Sequence, residues 1–457
     1  MLSKADNEFL TQSDAGTPMG ALLRRFWMPA LLSAELPERD GPPKKIKVLG
    51  EDLLAFRDTN GKVGIVEPHC PHRGANLFHG RNEECGLRCA YHGWKFDVDG
   101  NCVDLPTAPP ESTYKDTIKL LAYPVREWAD LIWVYMGPHG DKGDNVPELP
   151  QIELGLVPAA HRYVTKKWQD CNWVQSLEGG IDTSHFSFLH KVIATGADEL
   201  RAAMSKAALA DQSTPDDRIR WVQNDPRPRF QVLGHDVGLV IGGGRKTDGP
   251  DLYWRIAQFL IPNIAYTPAA LPGEIYYGQC WVPVDDESCW IYSYCWQPER
   301  PLSNAERTKF DGGFNVHSEV DADYMPLRNK RNGYLIDRAV QKHSTFTGIT
   351  GVSEQDAAIQ DSQGPIQDRT KEHLGPTDIG VVEFRKLIVG TARALARGEE
   401  PRAPKLPTRY AVRSGGCITS PDKDLAAVMT ERFGHPQGYI GDKYGLGHTM
   451  DSDNPRA

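Results

Sequence analysis

Apolar positions change their spacing along this chain, and each change predicts a different kind of element. Between residues 44 and 135 they come in short alternating runs, such as Ile46-Lys47-Val48-Leu49 and Leu53-Leu54-Ala55-Phe56, broken by Asn60-Gly61 and Asp99-Gly100. A period of two interrupted by turn dipeptides predicts a small antiparallel β domain, with Leu131-Ile132-Trp133-Val134-Tyr135 as its last strand. From residue 173 to 190 the spacing turns helical, with Trp173, Val174, Leu177, Ile181, Ser184 and Phe188 forming a mostly apolar stripe. Gly179-Gly180 weakens such a helix unless something approaches its backbone closely. Strand-like runs follow over 253–261, 275–284 and 288–297, which predict one larger antiparallel sheet. Over 380–396 a late helix carries Val381, Phe384, Ile388 and Leu395 on one face and stops at Gly398.

These elements predict an α+β chain in four parts. A helical arm over 1–40 starts a short helix at Thr17-Pro18, where threonine caps and proline suits the first turn. The β domain spans 41–150, ending in the glycine- and proline-rich stretch from Gly137 to Gly143. A larger domain covers 151–435. A polar tail, expected to be poorly ordered, covers 436–457.

Composition narrows the function classes. The chain has 457 residues, enough for two sizeable cores, and a formal net charge of −9. That balance argues against nucleic-acid binding, and no basic run suits a membrane surface. Neither a leader nor an apolar window long enough to span a bilayer is visible, so a cytoplasmic protein is expected. Nine cysteines in no regular framework argue against a disulfide scaffold.

The strongest chemical signal is a pair of hooks, Cys70-Pro71-His72 and Cys89-Ala90-Tyr91-His92. In a Rieske centre two cysteines hold one iron of a [2Fe-2S] cluster and two histidines hold the other, so each hook would supply one ligand to each iron. A Cys2His2 zinc site is the alternative, though there the cysteines usually form one close pair and the histidines another. Cys85 is read as a structural thiol.

A second cluster lies in the helical stretch, where Glu178, Asp182, His185 and His190 interrupt apolar neighbours. Helical spacing puts Glu178, Asp182 and His185 on one face. The five-residue step to His190 requires the helix to bend or end if both imidazoles are to meet one metal. Two histidines and a carboxylate on one face of an iron leave positions open for oxygen and substrate. A structural role for the two histidines is the competing reading.

With both motifs in order, the chain resembles the large, catalytic subunit of Rieske non-haem iron oxygenases, in particular the homo-oligomeric phthalate dioxygenase-like branch. The likeness runs from Gly16-Thr17-Pro18-Met19 through His72-Arg73-Gly74 and Tyr91-His92-Gly93-Trp94-Lys95-Phe96. It continues through the stretch from Leu177 to His185 and on to Gln355-Asp356-Ala357-Ala358-Ile359-Gln360-Asp361. The resemblance implies a Rieske domain joined to a catalytic domain with a curved antiparallel sheet flanked by helices, helix-grip-like. It implies that His185 and His190 bind a mononuclear Fe(II) with Asp356 as third ligand. Asp361 competes for that place, because local spacing does not choose between the two aspartates. It also implies that Asp182 bridges electrons from a Rieske histidine of a neighbouring subunit, matching His92, to His185. An ordinary ion pair is the bland reading of Asp182. Asn172, Gln175 and Glu178 are expected to line or support the iron site.

The activity implied is oxygen insertion into an aromatic substrate, with electrons from NAD(P)H through a separate flavin and iron-sulfur reductase, in a homotrimer or stacked trimers. A cis-dihydrodiol is the expected product. O-demethylation by the same ligands is the alternative, and an electron-transfer iron-sulfur protein is the non-enzymatic rival. Acidic aromatics such as phthalates, benzoates and phenoxybenzoates would want a basic fork, for which Arg227, Arg229, Arg245, Lys246 and Arg255 are candidates. Phthalate-type relatives tend to carry an arginine near Val240, so an apolar residue there argues against phthalate itself. Gly242-Gly243-Gly244 is read either as widening the pocket or as a bulge or loop.

Overall fold

A computed structural model describes residues 1–139, 144–194, 217–268 and 273–446. The alternating runs that begin at Lys44 fold into two four-stranded antiparallel sheets. Lys44–Val48, Glu51–Arg57, Val63–Val66 and Ala122–Tyr123 make one, and Arg81–Glu83, Gly86–Arg88, Lys95–Phe96 and Cys102–Asp104 make the other. Leu54 and Phe56, two residues apart and so on one face, meet Val66, Leu77, Leu87 and Phe96 in a small core. Burying each of these side chains contributes about 1.5–3 kcal/mol, and Cys70 and Cys89 sit in the same cluster.

Leu131–Tyr135 does not close this β block. It is the middle strand of a separate three-stranded sheet, between Trp27–Leu32 and Val125–Trp128. All five of its side chains are buried, because they join the large core that also holds Trp173 and Ile291. The expectation of a wholly helical arm is corrected by the same sheet. Lys4–Thr11 and Pro18–Leu23 are helices, and Thr17 Oγ1 accepts the Gly20 N–H at 3.1 Å as expected. Trp27–Leu32 is nevertheless a fully buried strand, since the proline within it excludes a helix interior.

The larger antiparallel sheet has eight strands, ordered Arg162–Gln169, Cys289–Trp296, Tyr276–Pro283, Ile264–Tyr266, Leu252–Leu260, Gly238–Lys246 and Arg229–His235, with Gly415–Thr419 also paired to Leu252–Leu260. Helix Ile379–Ala396 lies on it with Phe384 edge-on to Phe259, ring centroids 4.9 Å apart. Helix Trp173–Ile181 approaches so closely that a Cβ on Gly180 would fall 2.4 Å from Trp281 Cη2, and one on Gly179 would fall 2.3 Å from Gln360 Nε2. The two glycines thus exist for close approach, and their helix is anchored against both the sheet and helix Val352–Ser362.

Two expectations about irregular segments change. Pro436 to Leu446 is not a loose tail, because Tyr439 and Ile440 are buried against Ala411. Residues 447–457, like 140–143 of the boundary stretch, lie outside the described residues. Gly242-Gly243-Gly244 is neither bulge nor loop but regular strand, paired without a break to both neighbours. No helix among the described residues is long and apolar enough to cross a membrane.

Candidate metal centres

The two hooks are built alike. In each, the glycine four residues after the cysteine donates its N–H to that cysteine's carbonyl, Gly74 to Cys70 at 2.9 Å and Gly93 to Cys89 at 3.0 Å. The cysteine N–H in turn donates to the residue five on, Ala75 or Trp94. Both glycines have positive φ, 73° and 77°, which a side chain would resist. The paired loops bring the His72 and His92 rings to 4.4 Å, with Trp94 stacked on His72 at 4.3 Å. Burial, with the Cys89 thiol beside it, pushes the Cys70 thiol up to about 11. Among the described residues, His92 Nδ1 is buried with no hydrogen-bond partner. An orphaned imidazole nitrogen beside two buried thiols fits a cationic metal group.

In the second site the sequence overran the helix. The helix ends at Ile181, and Asp182 is extended with φ −75° and ψ 124°. Its carboxylate ends the helix by accepting the Ser184 N–H and hydroxyl, each at 2.7 Å, and the His185 N–H at 3.3 Å. A side chain that offers the next turn its own acceptors competes with helix continuation. The short turn His185–Ser187 that follows lets both imidazoles converge.

His185 Nε2 and His190 Nε2 stand 3.2 Å apart, and Asp356 Oδ1 lies 3.6 Å from the first and 3.3 Å from the second. This contact between imidazole nitrogens is not a hydrogen bond between neutral rings, because each ring's proton is already placed. His185 Nδ1 lies 3.2 Å from Asp182 Oδ2, and His190 Nδ1 lies 2.7 Å from Gln355 Oε1. The Gln355 amide is oriented by its own donation to Ile349 O at 2.9 Å, so Oε1 can only accept. Both Nε2 atoms therefore turn lone pairs toward each other and toward a carboxylate, an arrangement that calls for a cation. Three ligands about 2.1 Å from one metal and at right angles would stand about 3.0 Å apart, close to the spacing found.

Electrostatics agree. Burial works to lower the His185 pKa, but the Asp182 hydrogen bond and the charges of Asp182 and Asp356 hold it above its ordinary value. Burial likewise works to raise the Asp182 carboxyl, and its bonds to His185 and Ser184 outweigh that and bring it down to about 2. Among the described residues, His185, His190 and Asp356 are the group whose ligand atoms lie close enough to share one ion.

Residues 134–416 match the family model described as LigXa C-terminal domain like, and residues 26–124 match the Rieske [2Fe-2S] domain. The chain belongs to the Rieske non-haem iron oxygenases. It is 37% identical to the 3-chlorobenzoate-3,4-dioxygenase oxygenase subunit of Comamonas testosteroni, over 94% of this chain and 98% of that one. It is also 37% identical to the phthalate 4,5-dioxygenase oxygenase subunit of Pseudomonas putida, over 87% and 88%. A third relative, the 5,5'-dehydrodivanillate O-demethylase oxygenase subunit of a Sphingobium strain, is 31% identical over 88% and 83%. Membership sets aside both the zinc reading of the hooks and the electron-transfer rival. The oxygenase carries a Rieske cluster and a mononuclear iron supplied with electrons by a reductase.

Several residues expected at the oxygenase's iron lie elsewhere. Asn172 caps helix Trp173–Ile181, accepting the Val174 N–H at 3.0 Å and donating to Thr11 O at 2.9 Å and Asp286 O at 2.6 Å. It ties the N-terminal arm to the helix and does not face the metal ligands. Gln175 donates to the carbonyls of Gln360 and Gly364, an equally structural use. Glu178 is held by Arg385 at 2.6 Å and Arg369 at 3.0 Å. Once the helix ends at Ile181, the face that Glu178 shares with Asp182 and His185 no longer exists. Asp361, the competitor of Asp356, is not at the metal group. It is buried, accepting from Tyr334 Oη and from Gln169 Nε2.

Val240 and Arg245 part company for a simple reason. They lie five apart on strand Gly238–Lys246, so they point to opposite faces. Val240 packs with Trp254, Leu425 and Met429 on the side away from the iron ligands, which removes it from the substrate contacts. Arg245 faces the other side, where its Nη2 donates to Thr183 O at 2.5 Å. Burial, with Arg255 nearby, pushes its guanidinium down to about 9. Gln355 and Phe186 are the residues at the site that sequence reasoning gave no role, although Gln355 stood beside Asp356 in the motif.

Proposed function

We propose that this oxygenase hydroxylates an aromatic carboxylate of the benzoate, phthalate or phenoxybenzoate type and adds both atoms of O2 to give a cis-dihydrodiol. The observation that carries the reading is the convergence of His185 Nε2, His190 Nε2 and Asp356 Oδ1 within 3.6 Å of one another. Ligands gathered on one side of an iron leave its other side for oxygen and substrate, and the metal supplies the activation of oxygen. The Rieske cluster is held by Cys70, His72, Cys89 and His92. Its electrons come from NAD(P)H through a separate flavin and iron-sulfur reductase. The names of the two 37%-identical relatives support an acidic aromatic substrate.

Asp182 has the bridging role in this reading. Its hydrogen bonds within the chain are all local, to Ser184 and His185, and its side chain keeps 21% exposure. His72 and His92 remain partly exposed at the tips of their hooks. In this reading electron transfer runs between chains, with His92 of the partner subunit meeting Asp182, in a homotrimer or stacked trimers. Thiolate-bound iron and nicotinamide-derived electrons suit the reducing cytoplasm.

O-demethylation is the second reading, favoured by the identity to an O-demethylase subunit. Single turnover of chemically reduced, iron-loaded protein with labelled O2 separates the two. Two labelled atoms in a dihydrodiol support the leading reading, while formaldehyde with a phenol replaces it. No product from benzoates, phthalates, phenoxybenzoates or methoxybenzoates, with both metals bound, refutes the aromatic-acid substrate.

A further inference from the structure

The two segments that carry the metal ligands meet at one side chain. Asp356 and Gln360 lie four residues apart on helix Val352–Ser362, which places them one above the other on the same face. Gln360 is buried, and it meets three residues of helix Trp173–Ile181, whose end leads through Asp182 to His185. Ser176 Oγ donates to Gln360 Oε1 at 2.9 Å, and Gln175 Nε2 donates to Gln360 O at 3.1 Å. A Cβ on Gly179 would fall 2.3 Å from Gln360 Nε2, so the glycine is what lets the amide lie against the helix backbone.

The direction of these bonds is fixed. An indole N–H can only donate, so where Trp281 Nε1 approaches Ser176 Oγ at 2.8 Å the hydroxyl accepts, and its single proton goes to Gln360. That assigns Oε1 of Gln360 to Ser176 and turns its amide nitrogen toward Gly179. Trp281 belongs to strand Tyr276–Pro283, paired along its whole length with Cys289–Trp296. The chain Trp281, Ser176, Gln360 therefore runs from the sheet through one ligand-bearing segment to the other. All three side chains are buried, and none leaves a buried polar atom unpartnered. Apolar packing alone leaves two helices several nearly equivalent positions, whereas a satisfied buried polar chain is met in one register.

We propose that Gln360 is a positioning residue for the iron site, and that the chain from Trp281 through Ser176 sets the separation between the segment bearing His185 and His190 and the helix bearing Asp356. This goes beyond the functional reading above and rests on those three residues being the iron ligands. Their donor atoms stand within 3.6 Å of one another, so a slip of about 1 Å between the two helices is a large part of the ligand spacing. Glu178 lies on the same helix as Ser176 but bonds to Arg369 and Arg385, outside the chain.

The test is Fe(II) titration of metal-free protein, with the electron paramagnetic resonance spectrum of the nitric oxide adduct as a second readout that reports ligand geometry. Gln360→Met, close in size but without the amide, should lower Fe(II) affinity on the order of 10-fold and alter the rhombicity of the nitric oxide signal, with the Rieske absorption unchanged. Gln360→Glu keeps an acceptor for Ser176 and should recover most of the affinity and the wild-type line shape. Ser176→Ala removes the middle of the chain, should act like Gln360→Met, and carries the test if that variant fails to fold. Glu178→Gln, a destabilising change on the same helix, should leave both readouts as in wild type. Wild-type behaviour of Gln360→Met or Ser176→Ala, no recovery in Gln360→Glu, or an equal loss in Glu178→Gln would each overturn the proposal. Failure of the iron-site reading looks different: the wild-type protein itself would bind no mononuclear iron, and the positioning role would fall with it.

Discussion

Gln355 Oε1 accepts the Nδ1–H of His190 at 2.7 Å, and Gln355 is the residue immediately before Asp356. Adjacent residues on helix Val352–Ser362 thus supply one direct donor to the metal group and one partner that fixes the tautomer of another donor. Losing such a partner typically costs about 10- to 100-fold in metal affinity or activity. Gln355→Leu should therefore lower Fe(II) affinity by about that factor, read by titrating metal-free protein, while the Rieske absorption stays intact. Unchanged affinity would mean that Asp182 and Asp356 alone define the site.

Asp182 does the corresponding work for His185, and it alone of the two partners carries charge. Asp182→Asn retains an oxygen able to cap Ser184 but loses the negative charge beside the imidazole. Both metals should stay bound while product formation falls about 100-fold. Reduction of the Rieske cluster by the reductase should be unaffected, since the cluster's own ligands are untouched. Metal analysis alongside single-turnover kinetics checks this, and full turnover would remove Asp182 from the electron path.

How far the sequence disclosed this site depended on the range of the contacts. The hooks were legible because their ligands, glycines and hydrogen bonds all lie within six residues. Three strands of the larger sheet and the late helix were legible from period alone. The helix end at Ile181 was missed, although Asp182-Thr183-Ser184 is a run of capping residues that could have signalled it. Strand parity alone separates Val240 from Arg245, because an odd step along a strand reverses the face. Asn172 and Glu178 could not have been placed, since their partners lie between 114 and 207 residues away. An isolated polar residue in an apolar stripe looks the same whether it faces a metal or a distant arginine.

Asp356 and Asp361 show the same limit, and their variants should diverge. Five residues along a helix turn a side chain about 140° away, so the two carboxylates cannot share one ligand set. Asp356→Ala should deplete mononuclear iron and leave the cluster spectrum unchanged. Asp361→Ala should retain the iron but lose the bonds from Tyr334 and Gln169, costing about 1–3 kcal/mol of stability. Iron analysis and thermal melts distinguish them, and iron loss from the Asp361 variant would reverse the assignment.

Glu178 provides a test in which stability, not chemistry, should change. Its carboxylate sits between Arg369 and Arg385, both buried, so Glu178→Gln leaves two guanidinium groups short of their counter-charge. Breaking a buried pair from one side costs about 3–5 kcal/mol, and Glu372, which still accepts from Arg385, should keep the loss toward the lower end. Burial works to raise the Glu178 pKa, but the two arginines outweigh it and hold it below the ordinary glutamate value. A depressed carboxyl contributes stability that is fully present above the unfolded pKa and is lost as pH falls through the folded one. The gap in Tm between wild type and variant should therefore be widest near neutral pH and shrink on acidification below about pH 4.5. Iron content should be the same in both proteins. A variant that melts like wild type but loses its mononuclear iron would return Glu178 to the metal site.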